Sequence, residues 1–310
     1  MLSTVTGPLL TTTVPREYVH RASVAEVFLT DWKAEPGGSA ELANRFVVHA
    51  QWPRSHALFA PSDGHQDPLL LVESIRQIGS LLAHAEYGVP FGHQFLMWDM
   101  SFEATASAFD ADSAPTEVEL HTVCSDIVRR GRTVAGMRYE VSVRRAGVTV
   151  ARGGASFSCT SPAAHRRLRA DRPTTTGRAL PTPTDPATVG HTDPRHVVLA
   201  APQTPGEARW ELRVDTGHPV FFDHPVDHVP GMMLMEAARQ AARAATRQPR
   251  ALLLGMDSEF TRYCELDAPC RIQARPLASD TPGHVRVEVR GVQQGEQVFT
   301  ADLALRRPAA

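Results

Sequence analysis

Residues 69–79 read LLLVESIRQIG, and residues 232–242 read MMLMEAARQAA. Each is a run of apolar residues interrupted by Glu-x-x-Arg-Gln: Glu73, Arg76 and Gln77 in the first, Glu236, Arg239 and Gln240 in the second. Residues three and four apart share a helix face. Each stretch therefore predicts a helix with one polar stripe, Glu73, Arg76, Gln77, Ser80 and His84 or Glu236, Arg239, Gln240, Arg243 and Arg247. A helix that is apolar almost all round is a buried one. On an exposed helix such a Glu–Arg pair contributes only ~0.2–0.5 kcal/mol. In an apolar setting a charge has to be paired or used, which makes both stripes candidate sites. Their repetition points to an internal duplication.

The segments around the two helices recur in the same order. A β-like segment comes first, NRFVVHAQW (44–52) or RWELRVD (209–215), then a loop holding His and Pro, 53–68 or 216–231. After the helix comes a strand-like run, 93–104 or 251–263. Each half closes on alternating segments around a turn, RRAG within 137–159 and VQQGEQ within 284–306, both plausible hairpins. One long helix against several antiparallel strands is an α+β plan. Between the halves, residues 161–195 are rich in Pro, Thr and Arg and lack hydrophobic periodicity, as a linker would. The expected division is 1–160, a linker over 161–195, and 196–310.

The chain has 310 residues, 42% apolar and 21% charged, with a net charge of −2. That balance gives no reason to expect nucleic acid or an anionic membrane as partner. Lys33 is the only lysine, so almost all positive charge is Arg. No segment is apolar for long enough to span a membrane, and MLSTVTGPLLTTTVP (1–15) lacks the basic start of a signal peptide. Cys124, Cys159, Cys264 and Cys270 form no CxxC and are expected to be reduced, which fits the cytoplasm. No metal or cofactor is expected. No Gly-x-Ser-x-Gly elbow and no nucleophile-like Cys is present, so nothing in these motifs points to a covalent enzyme intermediate.

PVFFDHPVDHVPGMMLMEAARQ (219–240) resembles the signature of the β-hydroxyacyl-ACP dehydratases, which have the hotdog fold. His224 falls on their catalytic His and Glu236 on their catalytic acid, with a loop shorter by two residues. A resemblance over nearly the whole chain is to the AfsA family of actinobacteria. It is carried by VPREYVHRASVAEVFLTDW (14–32), AQWPRSH (50–56), DPLLLVESIRQIG (67–79), AEYGVPFGHQFLMWDMSF (85–102) and HPVFFDHPVDHVPGMMLMEAARQAA (218–242). The resemblance implies two tandem hotdog domains forming an intrachain pseudo-dimer, with larger homo-oligomers also open to it. It implies transfer of a β-ketoacyl group from acyl carrier protein to the hydroxyl of dihydroxyacetone phosphate. The ester leads to butyrolactone, butenolide or furan signals that control antibiotic production. A hotdog dehydratase or thioesterase, and a non-catalytic acyl-binding regulator, are the alternatives.

For such a transfer Glu236 is expected to be the general base or to orient the hydroxyl, with His224 the second proton-transfer candidate. Arg239 would bind the phosphate or developing charge through its planar fork, and Gln240 would orient its neighbours. The N-terminus of the second helix would offer N–H groups to the oxyanion. The first stripe could form a second site, complete the first across the domain interface, or be a structural relic; shared use of Glu73 and Arg76 is expected, with Gln77 a further substrate-binding candidate. Arg54 and Arg243 are further substrate-binding candidates, and the Arg-rich linker could meet an acidic carrier protein. His56 and His65 sit roughly where the second half has its loop histidines.

Overall fold

The structure, a computed structural model, describes residues 12–35, 44–169, 172–202, 204 and 206–308. Most of the amino-terminal stretch read for a leader (1–11) and residues 170–171 of the linker lie outside the described residues. The first unit contains β1 (Leu29–Ala34), β2 (Arg45–Trp52), α1 (Leu69–Ala85), β3 (Gln94–Ala104), β4 (Thr116–Arg130), β5 (Thr133–Arg145) and β6 (Val148–Thr160). Two short helices follow, α2 (Pro162–Arg169) and α3 (Pro186–Val189). The second unit then runs β7 (Arg209–Glu211), α4 (Gly231–Thr246), β8 (Leu252–Phe260), β9 (Cys270–Leu277), β10 (His284–Gln293) and β11 (Glu296–Arg306).

All eleven described strands form one sheet, ordered β1-β2-β4-β5-β6-β3-β8-β11-β10-β9-β7. The order reads symmetrically from the middle, where β3 and β8 pair antiparallel with Ser101 opposite Asp257. The tandem hotdog architecture is thus realised as one continuous sheet wrapped on two helices. The predicted turns are both two-residue loops with positive φ at both positions, Ala146-Gly147 at 49° and 79° and Gln294-Gly295 at 54° and 84°. That geometry matches the twist of antiparallel strands.

The helices are as buried as their composition demands. Of α1 only Arg76 and Ala85 escape full burial, and residues 232–242 of α4 are all buried. Asp67 starts α1: its Oδ1 accepts the Leu69 N–H at 2.8 Å. Pro230, whose ring fixes φ, precedes α4. Among the described residues no helix is long and apolar enough to cross a membrane, and all four cysteines are free and buried.

The segment expected to be linker up to residue 195 behaves otherwise. From Thr182 it packs on the second unit: Ala201 N–H donates to Thr182 O and Thr184 N–H to Leu199 O, both at 2.9 Å. Its α3, capped by Asp185 and closed by Gly190 at φ 80°, mirrors the 3-10 turn Arg16–Val19 closed by His20 at φ 54°. It is the second unit's copy of the arm that precedes β1.

Candidate active site

Each polar stripe ties its helix to its own arm. Gln77 Nε2 donates to Glu26 O at 2.7 Å, and its Oε1 accepts Phe28 N–H at 3.0 Å. Gln240 repeats this with His196 O at 2.8 Å and Val198 N–H at 3.0 Å. Each Gln also donates to the stripe's carboxylate, Glu73 at 2.7 Å or Glu236 at 2.6 Å. Both amides are fully used and buried. Gln77 and Gln240, substrate-binding candidates from sequence with Gln240 also expected to orient its neighbours, both act as clamps.

The carboxylates receive a second donor from the arms. Arg21 reaches Glu73 Oε1 at 2.7 Å, and His191 Nε2 lies 2.7 Å from Glu236 Oε1. Burial by itself raises each carboxyl pKa. The guanidiniums of Arg21 and Arg76 at Glu73, and Arg239 with His191 at Glu236, outweigh burial and hold each near about 2. Both are therefore fixed anions with no exposed surface. With no exposed surface and a guanidinium against each, neither can reach a bound hydroxyl, which corrects the expectation that Glu236 is the general base or orients the hydroxyl and that Glu73 is catalytic.

The two arginines differ. Arg239 is 1% exposed, and Asp67 of the first unit reaches across to it, Nη1 to Oδ1 at 2.6 Å. Its Nη2 also lies 2.6 Å from Glu236 Oε2, as an ion contact and not an aligned hydrogen bond, since neither atom has a well-directed partner. Arg239 thus faces two carboxylates and no solvent, a correction to its expected role in holding phosphate. Arg76 shares the single carboxylate of Glu73 with Arg21, and its side chain stays 19% exposed. Arg243 donates to the Ala251 carbonyl, which fixes the end of α4, and Arg54 is exposed. Neither lines the cavity described next.

Arg76 opens into a cavity of about 220 Å³ between the units. One wall is α1 (Arg76, Gly79, Ser80) with β3; the other is the loop 220–231 and the start of α4. Phe95, Met97, Phe157, Phe221, Met232 and Phe260 give it an apolar lining. Gly79 permits the close approach of Tyr139: a Cβ there would stand 2.9 Å from the ring. Tyr139 donates to Ile75 O at 2.8 Å and forms part of the cavity wall.

Three histidines line this space, His20, His224 and His228. The Nδ1 of His224 lies 2.6 Å from Asp223 Oδ1 and that of His228 lies 2.7 Å from Asp227 Oδ1. A carboxylate fixes a proton on Nδ1 and leaves Nε2 to take up a proton or, once it carries one, to give it. Asp223 is held in turn by the Ala22 N–H at 2.8 Å and by Arg21 at 3.7 Å. Although burial opposes it, the His224 contact and the Arg21 charge lower its pKa to about 2. His20 Nε2 lies 2.7 Å from His84 Nε2, and His84 Nδ1 lies 2.6 Å from Val89 O. A carbonyl only accepts, so His84 carries its proton on Nδ1 and His20 donates from Nε2. Burial, with His84 and Arg76 nearby, lowers His20 to about 3 and keeps it neutral.

The structure therefore brings Arg76 and His224 together at one cavity and removes Glu236 and Arg239 from it. His56 matches His218 and not His224: the Nδ1 of each accepts two backbone N–H groups of the following turn. His65 binds Asp63 O at 2.9 Å near the loop surface. Sequence reasoning missed Arg21, Asp67 and His191. The matching arms around Pro15–Arg21 and Pro186–His191 were the available signal.

The AfsA profile, described as an A-factor biosynthesis hotdog domain, matches residues 3–161 and 174–306. A 2-oxo-3-(phosphooxy)propyl 3-oxoalkanoate synthase of Streptomyces virginiae is 53% identical over 97% of this chain and 100% of that protein. A protein of the same name from Streptomyces coelicolor is 39% identical, covering 94% of this chain and 91% of its own length. An acyl-ACP thioesterase from Bacteroides thetaiotaomicron superposes with a TM-score of 0.52 at 10% identity, over 86% of this chain and all of that one, a likeness of fold alone.

Proposed function

The chain belongs to the AfsA family, and from that premise we propose that it is an acyltransferase acting at the cavity between its two units. It moves a β-ketoacyl group from a thioester, carried by acyl carrier protein, to the hydroxyl of dihydroxyacetone phosphate. The product is the ester for which its relatives are named, a precursor of lactone-type signalling molecules. The observation that carries this reading is that Arg76, alone of its stripe in reaching solvent, shares an apolar cavity with the Asp223–His224 dyad.

The acyl chain lies along the apolar wall, driven by burial of its methylenes at roughly 0.8 kcal/mol each. Arg76, braced by Glu73 and Arg21, holds the phosphate of the acceptor through charge-assisted hydrogen bonds. His224, its Nδ1 occupied by Asp223, takes the hydroxyl proton at Nε2 as the oxygen attacks the thioester carbon. The first N–H groups of α4, where Gly231 and Met232 border the cavity, face the developing oxyanion. The C–S bond then breaks and the ester leaves. Glu236 and Arg239 hold the second unit together and close its copy of the site.

Mass spectrometry of products from β-ketoacyl thioesters, with and without dihydroxyacetone phosphate, tests the reading. A phosphorylated keto ester that forms only with the acceptor supports it. Free acid or an enoyl product in both mixtures would point to the thioesterase or dehydratase alternative.

A further inference from the structure

The loop before α4 holds two Asp-His pairs, Asp223-His224 and Asp227-His228, and the reaction assigned above uses one. We propose that His228 is a second catalytic residue, the general acid that protonates the departing thiol sulfur; this rests on the acyl-transfer reading.

His228 lines the same cavity and is built with more support than a loop histidine needs. Its Nδ1 lies 2.7 Å from Asp227 Oδ1, and its ring meets Tyr263 edge-on at 4.9 Å. The other oxygen of Asp227 receives Arg169 Nε at 3.0 Å and lies 3.2 Å from His165 Nε2. Arg169 also forks onto Glu265 at 2.6 and 2.8 Å, donates to Asp227 O at 2.9 Å, and stacks 4.1 Å from the Tyr263 ring centre. So α2, at the start of the segment read as a solvated linker, places a buried guanidinium behind the second dyad. With Nδ1 engaged, the Nε2 of His228 has no protein partner among the described residues.

Position divides the roles. His224 sits toward Arg21, His20 and Arg76, where the anionic acceptor binds. His228 sits against Tyr263 and is tied through Asp227 to Arg169 of α2. The balance closes. The acceptor O–H gives its proton to His224 Nε2 and the C–O bond forms. The C–S bond breaks and its electron pair takes a proton from protonated His228 Nε2. Solvent exchanges the two protons afterwards. Arg169 is a positioning residue acting through Asp227.

The test varies the leaving group. The same β-ketoacyl group is supplied as a pantetheine thioester and as a thiophenol thioester, which departs as a far weaker base and needs no acid. Thiol release and ester formation are both followed in wild type, His228→Gln and Arg169→Met. His228→Gln is expected to lose about 10²-fold in kcat with the pantetheine donor and less than about threefold with the aryl donor. Arg169→Met shows the same donor dependence with a smaller loss. Aryl-donor turnover in the same sample reports an intact fold. Equal loss with both donors, or no loss with either, overturns the assignment. If thiol is released but water takes the acyl group in wild type, the acceptor assignment fails, while the donor pattern still decides the role of His228.

Discussion

Asp67 Oδ1 lies 2.6 Å from Arg239 Nη1, a buried ion pair that joins the loop before α1 to the middle of α4. The same oxygen caps α1 through Leu69 N–H at 2.8 Å. No carboxylate stands in the corresponding place before α4, where the chain reads Val229-Pro230. The duplicated helices are thereby made unequal: one arginine has an internal anion from the other unit, and its counterpart opens on the cavity.

Removing one partner of a buried pair leaves an uncompensated charge, at a cost of about 3–5 kcal/mol. Asp67→Ala is expected to lower the unfolding free energy from denaturant titration by an amount in that range, while kcat per folded molecule stays within about twofold. Stability unchanged with turnover abolished would return the chemistry to Glu236 and Arg239.

Arg76→Ala is expected to act on the acceptor. A hydrogen bond to a charged group contributes roughly 1.5–3 kcal/mol, so kcat/KM for dihydroxyacetone phosphate should fall about 10- to 100-fold. Binding of the acyl donor should change little. Arg239→Met, which removes the charge while keeping bulk, should leave acceptor KM unaltered. Steady-state kinetics on both substrates separate the two arginines.

The helices, hairpins and duplication were legible because they rest on local periodicity and on turns that demand positive φ. Strand β4 was not, because its inward positions alternate Thr116, Val118, Leu120, Thr122 and Cys124, and Thr and Cys blur the apolar signal. The stripes were legible as polar faces on buried helices, but which of them faces a cavity was not. That choice depends on Asp67, Arg21 and His191, which act from arms and loops without periodicity and meet the helices only through tertiary contact. The loop FFDHPVDHVPG, expected to bring His224 to Glu236, instead borders a cavity whose facing wall is α1, with Glu236 outside it.

Two histidines couple stability to pH. Burial lowers His20 to about 3 and His218 to about 4, and the Nδ1 of His218 must stay unprotonated to accept Val220 and Phe221 N–H. In the unfolded chain both titrate near 6.5. A depressed folded pKa means that the unfolded state binds more protons between these limits. The stabilisation is therefore complete above about 6.5 and is lost as pH falls toward 4 and then 3. Unfolding free energy should decline as pH falls from 7 to about 5, and the decline should be shallower by about one proton in His20→Gln. An unchanged slope in that variant would show that His20 is protonated in the fold.

His224→Gln is expected to lower kcat by about 10²- to 10⁴-fold, the span of a lost general base, with acceptor KM nearly constant because Arg76 remains. Asp223→Asn should lower kcat less and by a different route. The amide introduced there can donate to His224 Nδ1, which moves the proton to Nε2 and takes away the lone pair that accepts the hydroxyl proton. The amide oxygen can still accept Ala22 N–H, but the negative charge 3.7 Å from Arg21 is gone, so the arm should loosen as well. Kinetics paired with hydrogen exchange at residues 20–23 tell these apart. A rate loss in Asp223→Asn with unchanged protection assigns the effect to the tautomer. Loss of protection with normal turnover would remove His224 from the chemistry.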